Sequence, residues 1–145
     1  MKARQSSVYR KVETLRDDIL CPLVDRLPGT LSMQCIGQQV MLDVMDAIFQ
    51  LGLAWKATKG EPRLRLLKLA QDRLDDISSN VLALRQRTKR FDKDKDEGKK
   101  PARIITEKQY ALFLQEMALI TADLDAWMSS NAAAMLKSQT ATPSD

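Results

Sequence analysis

The chain has 145 residues, 44% hydrophobic, 5% aromatic and 29% charged, with 5 Gly and 5 Pro, which fits one helical domain and disfavours a β-sandwich or barrel. Lys and Arg number 23 against 19 Asp and Glu, a net +4, and there is no histidine. From this chain alone no Ser-His-Asp or Cys-His machinery, HExxH zinc site, two-cysteine two-histidine finger or ExxH di-iron bundle can be built.

The first helix is predicted over about residues 7–27, where Val8, Val12, Leu15, Ile19, Leu23 and Leu27 recur at helical spacing before the stop at Pro28-Gly29. Pro22 lies inside it and lacks a backbone donor, so a kink or loosened turn is expected near Asp18 to Pro22. The second helix, about 31–56, follows a Thr30 cap. Gly37, Met41, Val44, Ile48, Leu51 and Trp55 form one of its stripes, and Leu42, Met45, Phe49 and Leu53 a neighbouring one. Its only charges are Asp43, Asp46 and Lys56, so it is either central in its own bundle or shared with a second subunit.

Lys59-Gly60-Glu61-Pro62 makes a turn into the third helix, about 62–91, with a heptad seam of Leu67, Ala70, Leu74, Ile77, Val81 and Leu84. A charged segment, 92–103, reads as a solvated, mobile loop. The fourth helix, about 106–135, opens on the capping box Thr106-Glu107-Lys108-Gln109 and carries the stripe Tyr110, Phe113, Met117, Ile120, Leu124 and Trp127. Residues 138–145 read as a disordered tail. Short turns make an antiparallel up-down-up-down four-helix bundle over 1–137 the economical all-α architecture.

No apolar leader and no membrane span is visible, so a cytoplasmic protein without a membrane partner is expected. Cys21 and Cys35 have no CxxC spacing and read as buried thiols.

Residues 59–103 hold 14 Lys/Arg and 8 Asp/Glu, so the excess positive charge belongs to the third helix and its flanks. Antiparallel packing gathers Lys2, Arg4, Arg10, Lys11, Lys56, Lys59, Arg63, Arg65 and Lys68 at one end. Asp17, Asp18, Asp43, Asp46, Asp72, Asp75 and Asp76 fall at the waist, and Arg85, Arg87, Lys89 and Arg90 at the other end with Arg103 and Lys108. Cations in a last helical turn suit the helix dipole whatever the function. Arg63, Arg65 and Lys68 instead begin a helix, where the same dipole disfavours them, and this points to an anionic ligand such as phosphate backbone. Few aromatics accompany them, which makes stacking on single-stranded bases secondary. Asp72, Asp75 and Asp76 read as a solvated face rather than metal ligands, and the two tryptophans as core or subunit contacts. No acid, base and nucleophile assemble, so neither enzyme activity nor a metal or cofactor is expected.

LVDRLPGT closing the first helix, PRLRLLKLAQDRLDDISSNVLALR in the third and ITEKQYALFLQEMALITADLDAWM in the fourth resemble a known four-helix-bundle family over about residues 8–130. It includes the accessory variability determinant (Avd) of diversity-generating retroelements and proteins encoded in intervening sequences of 23S ribosomal RNA genes. The Asn-Ile-Ala-Glu-Gly run of the ribosomal branch is missing, which moves the resemblance toward Avd. It implies a bacterial or phage-encoded homopentameric barrel that binds RNA or DNA, such as template RNA or an RNA/DNA hybrid, with little sequence preference. It also implies association with a reverse transcriptase in mutagenic complementary-DNA synthesis. On that reading Arg10, Lys11, Lys59, Arg63, Arg65, Lys68, Arg85, Arg87, Lys89 and Arg90 contact nucleic acid, and Met41, Met45, Phe49, Leu53, Trp55 and Trp127 join protomers.

Overall fold

Pro22 does perturb the first helix, and the perturbation takes the form of a π turn. The computed structural model describes residues 7–87 and 103–141, with side chains to residue 137. In it helix α1 runs through Ser7–Thr14, a π-helical stretch Leu15–Leu20 and Cys21–Asp25. The Cys21 amide donates to the Arg16 carbonyl, five residues back rather than four. An α-helical turn would drive the Pro22 ring into the Asp18 carbonyl, and the wider turn relieves that clash. The extra residue shifts the buried face from Val8, Val12 and Leu15 to Leu20, Leu23 and Leu27. Leu20 is therefore fully buried, whereas Ile19, the residue chosen by simple periodicity, is half-buried.

Helix α2 spans Leu31–Lys56 as expected. Thr30 sits at its N-cap in extended backbone geometry, but its hydroxyl makes no capping bond; its carbonyl accepts the Gln34 amide at 3.0 Å. A Cβ on Gly37 would lie 2.9 Å from Leu27 Cδ1 and 3.1 Å from Val24 Cγ1, so α1 and α2 approach closely there. Helix α3 spans Glu61–Arg85 and buries the whole expected seam, Leu67, Ala70, Leu74, Ile77, Val81 and Leu84. It stops at Arg85, not at 91. The next seam position, Thr88, offers little apolar surface to bury, and the Ile104 amide bonds the Arg87 carbonyl at 3.2 Å beyond the helix end. The expected charged loop lies outside the described residues except for Arg103.

Helix α4 spans Glu107–Ala141, longer than expected. Its capping box is reciprocal: the Gln109 amide donates to Thr106 Oγ1 at 3.1 Å and the Thr106 amide to Gln109 Oε1 at 2.8 Å. Ile105 and Tyr110 occupy the two positions of a hydrophobic staple, and Ile105 is fully buried.

Each helix packs on its sequence neighbours and α1 on α4, while the diagonal pairs stay apart. Tyr9 lies near Gly52, Arg73 pairs with Asp46, and Lys11 pairs with Asp123, so neighbouring helices are antiparallel and run up-down-up-down. Phe113, Leu15, Leu20, Leu51, Leu67, Ile77, Leu84, Ile120 and Leu124 fill the centre. An arginine lies over an aromatic ring at each end of the α3–α4 contact, Arg63 over Trp127 at 5.8 Å and Arg85 over Tyr110 at 5.9 Å. Among the described residues no helix is long and apolar enough to cross a membrane.

Gly37→Leu is expected to lower stability by about 1–3 kcal/mol through overpacking against Leu27 and Val24. Gly29→Ala, with no atom within 4 Å of the added Cβ, is expected to leave the thermal midpoint nearly unchanged in the same melting experiment.

Candidate nucleic-acid interface

The antiparallel arrangement brings the start of α1, the α2–α3 turn and the distal part of α4 to one end. The last carbonyls of α2 run short of donors, the Ala54 one receiving, from the backbone, only the Ala57 amide at 3.3 Å, and carry the negative pole of its dipole. Arg63 meets them: Nε donates to the Ala54 carbonyl at 2.9 Å, and Nη2 to those of Trp55 and Ala57 at 3.2 and 3.1 Å. Arg63 thus has partners within the chain, and the helix end beside it accounts for its place at the start of α3. Its guanidinium also stands over Trp127, which packs edge-to-face on Trp55 with ring centroids 5.9 Å apart and planes at 65°.

A second device, invisible in the sequence pattern, holds the turn. Gly60 has φ of 108°, open to glycine and strained for other residues, and its amide donates to Asn131 Oδ1 at 2.8 Å while its carbonyl accepts from Nδ2 at 2.9 Å. Asn131 is buried and meets both backbone groups at the head of α3. On the neighbouring side, Lys11 and Ser7 both donate to Asp123 and join α1 to α4. Hydrogen bonding from Lys11, then from Ser7, holds the Asp123 carboxyl below its ordinary pKa. Lys11 is thus an ion-pair partner within the chain.

Arg10, Lys56, Lys59, Arg65 and Lys68 are exposed, and none belongs to an ion pair among the described residues. Arg65 and Lys68 share the outer face of α3 with Glu61 and Asp72. At the opposite end Arg85 is half-buried against Tyr110, its carbonyl accepting from Arg103 at 3.2 Å, and Arg87 is exposed beyond the helix. Lys89 and Arg90 lie outside the described residues, as do Lys2 and Arg4.

Waist carboxylates are partly spent inside the fold. Arg73 donates to Asp46 at 2.9 Å and to Asp76 at 3.1 Å, and Arg16 to Asp17 at 2.7 Å. Asp43 is buried and accepts from Gln39 at 2.9 Å. No group of three or more metal-ligating side chains occurs among the described residues.

Among the expected protomer contacts, Met45, Phe49 and Leu53 are exposed, together with Leu42. Met41 instead rests on its own core, and Trp55 and Trp127 pack on each other within one chain. Both cysteines are free, Cys21 half-buried and Cys35 exposed, so the expectation of two buried thiols is corrected. In comparisons with protein-family models, curated proteins and solved structures, nothing matches this chain.

Arg63→Ala is expected to destabilise the protein by about 2–3 kcal/mol in denaturant unfolding, the scale of hydrogen bonds to a charged group. Arg63→Lys should recover little, because an ammonium does not reproduce the planar fork. Asp123 has a depressed folded pKa, so its contribution is present above the unfolded carboxylate value and lost as pH falls through the folded one. The thermal midpoint of Asp123→Asn should accordingly fall less steeply than the parent's below about pH 4.

Proposed function

We propose that the protein is a non-enzymatic accessory subunit of a diversity-generating retroelement, holding RNA, DNA or an RNA/DNA hybrid beside the reverse transcriptase. The observation that carries this reading is the set of exposed cations at one end, Arg10, Lys56, Lys59, Arg65 and Lys68, without carboxylate partners among the described residues. Cations already paired inside a fold lose that pairing when they bind phosphate; these five do not. The resemblance to the Avd branch supplies the polymerase and the mutagenic context.

Protein association is assigned to the outer stripe of α2. Leu42, Met45, Phe49 and Leu53 are 64%, 52%, 60% and 37% exposed, a contiguous apolar face of the kind that marks interaction surfaces. In this reading the stripe joins protomers of a homopentamer. It also favours a second reading, a protein-interaction bundle of the ribosomal intervening-sequence type without a polymerase partner.

Binding to RNA and to RNA/DNA hybrid, measured against salt concentration, should give a log-log slope of about −0.7 to −0.9 per phosphate neutralised. Joint Lys59→Glu, Arg65→Glu and Lys68→Glu replacement should flatten the slope by about two to three units. Absence of binding at low salt overturns the nucleic-acid role. Binding without co-purification of a retroelement reverse transcriptase favours the second reading, and a monomeric mass by light scattering overturns the pentamer.

A further inference from the structure

Charge is distributed unevenly around the four helices. Helix α1 exposes Arg10, Asp17, Asp18 and Asp25, and α3 exposes Arg65, Lys68, Asp72, Asp75 and Asp76. From Leu31 to Leu53 no exposed residue of α2 is charged, and from Ala111 to Ala133 the one charged exposed residue of α4 is Asp125. Both of these faces are about 35 Å long at the helical rise. They carry exposed apolar side chains, Leu42, Met45, Phe49 and Leu53 on α2 and Leu112, Leu114 and Leu119 on α4. Helices α2 and α4 are diagonal in the bundle, so the two faces point in opposite directions. Depletion of charge, rather than bulk hydrophobicity, is what sets the core of a protein interface apart from other surface.

We infer that these two faces bind each other between copies of this chain, the α2 face of one copy on the α4 face of the next, in a head-to-tail contact. The inference rests on the reading that the outer stripe of α2 joins protomers, and it names the surface that the stripe meets. Helices α2 and α4 run parallel and are held level by Trp55 against Trp127, so copies standing side by side bring Phe49 level with residues 121–122. Ala118 and Ala122, one helical turn apart and both exposed, leave room there for the Phe49 ring. On the α1 edge of the α2 face, a hollow of about 340 Å³ is lined by Val24, Gln34, Gln38, Met41, Leu42 and Met45. Leu112, at the same level, shares another hollow with Ile19 and Pro22 and so stands on the α1 edge of α4, placed to fill the first one in the next copy. Asp125 lies within one helical turn of the level of Lys56, and both are exposed and outside every ion pair among the described residues. Pairing them between copies neutralises the one charge on the α4 face and leaves Arg10, Lys59, Arg65 and Lys68 to a polyanion. Contact of α2 on α2 would leave the α4 face bare. A head-to-tail contact covers both faces with one kind of interface, which closes into a ring or extends as a filament according to its rotation.

Phe49→Glu spoils the α2 face and Ala122→Glu the α4 face, each at an exposed residue, with thermal melting as the check that the fold is kept. By light scattering after size-exclusion chromatography the full-length parent is expected to be an oligomer and each variant alone a monomer. An equimolar mixture of the two variants is expected to form a one-to-one dimer, because each keeps the face that the other has lost. Charge reversal reads the register independently. Lys56→Asp and Asp125→Lys are each expected to weaken association by about fivefold, the upper range for an exposed ion pair, and the double reversal to restore it. Ala122→Glu that still assembles, as a dimer through α2 or at the parent's mass, overturns the head-to-tail contact and leaves the α2 stripe as an interface between copies. A mixture that stays monomeric overturns it too, and no recovery in the double reversal overturns the side-by-side register. A monomeric parent overturns both this contact and the reading on which it rests.

Discussion

A helix that ends inside a tight turn leaves carbonyls that need donors, and the end of α2 is where this bundle meets that demand most heavily. Arg63 reaches back from the next helix to three carbonyls and covers a tryptophan of α4 with the same guanidinium. One side chain thereby sets the relation of α2, α3 and α4. Asn131 repeats the logic from the opposite partner, satisfying both polar groups of Gly60. The positions of Lys56, Lys59, Arg65 and Lys68 in space follow from these two contacts.

The charges divide by employment. Arg16, Arg73 and Lys11 face carboxylates, and Arg63 and Arg85 face carbonyls or rings, so their positive charge is already used within the chain. Solvent-exposed ion pairs contribute at most about 1 kcal/mol each, so those pairs orient helices more than they stabilise them. The exposed cations that pair with no carboxylate among the described residues are the ones whose charge is not spent there. Net charge alone hides this division, because a capped helix end and a free lysine count the same.

Much of the architecture is legible in the sequence. Local stops wrote the boundaries: Pro28-Gly29, the Lys59 to Pro62 turn and the Thr106 box all mark transitions found in the structure. The heptad seam of α3 is buried residue for residue. What periodicity could not show was geometry that depends on another helix. Arg63 reads in sequence as a misplaced cation because its partner carbonyls belong to α2, and Asn131 carries no signal in the helix pattern because its partner is a glycine 71 positions earlier. Ile105 carried a signal that was there to find, an apolar residue directly before a capping box.

The π turn of α1 bears on how this chain can be compared with others. A residue has in effect been added inside a continuous helix, between Leu15 and Leu20, so that the buried face resumes one position later in the sequence. A relative with an ordinary α-turn there would have the same two core faces and one residue fewer. Correct superposition of the two would require a gap in the middle of a helix, where alignment conventions least expect one. Matching residues straight through would pair Ile19 with a core position and displace every later residue of α1 by one.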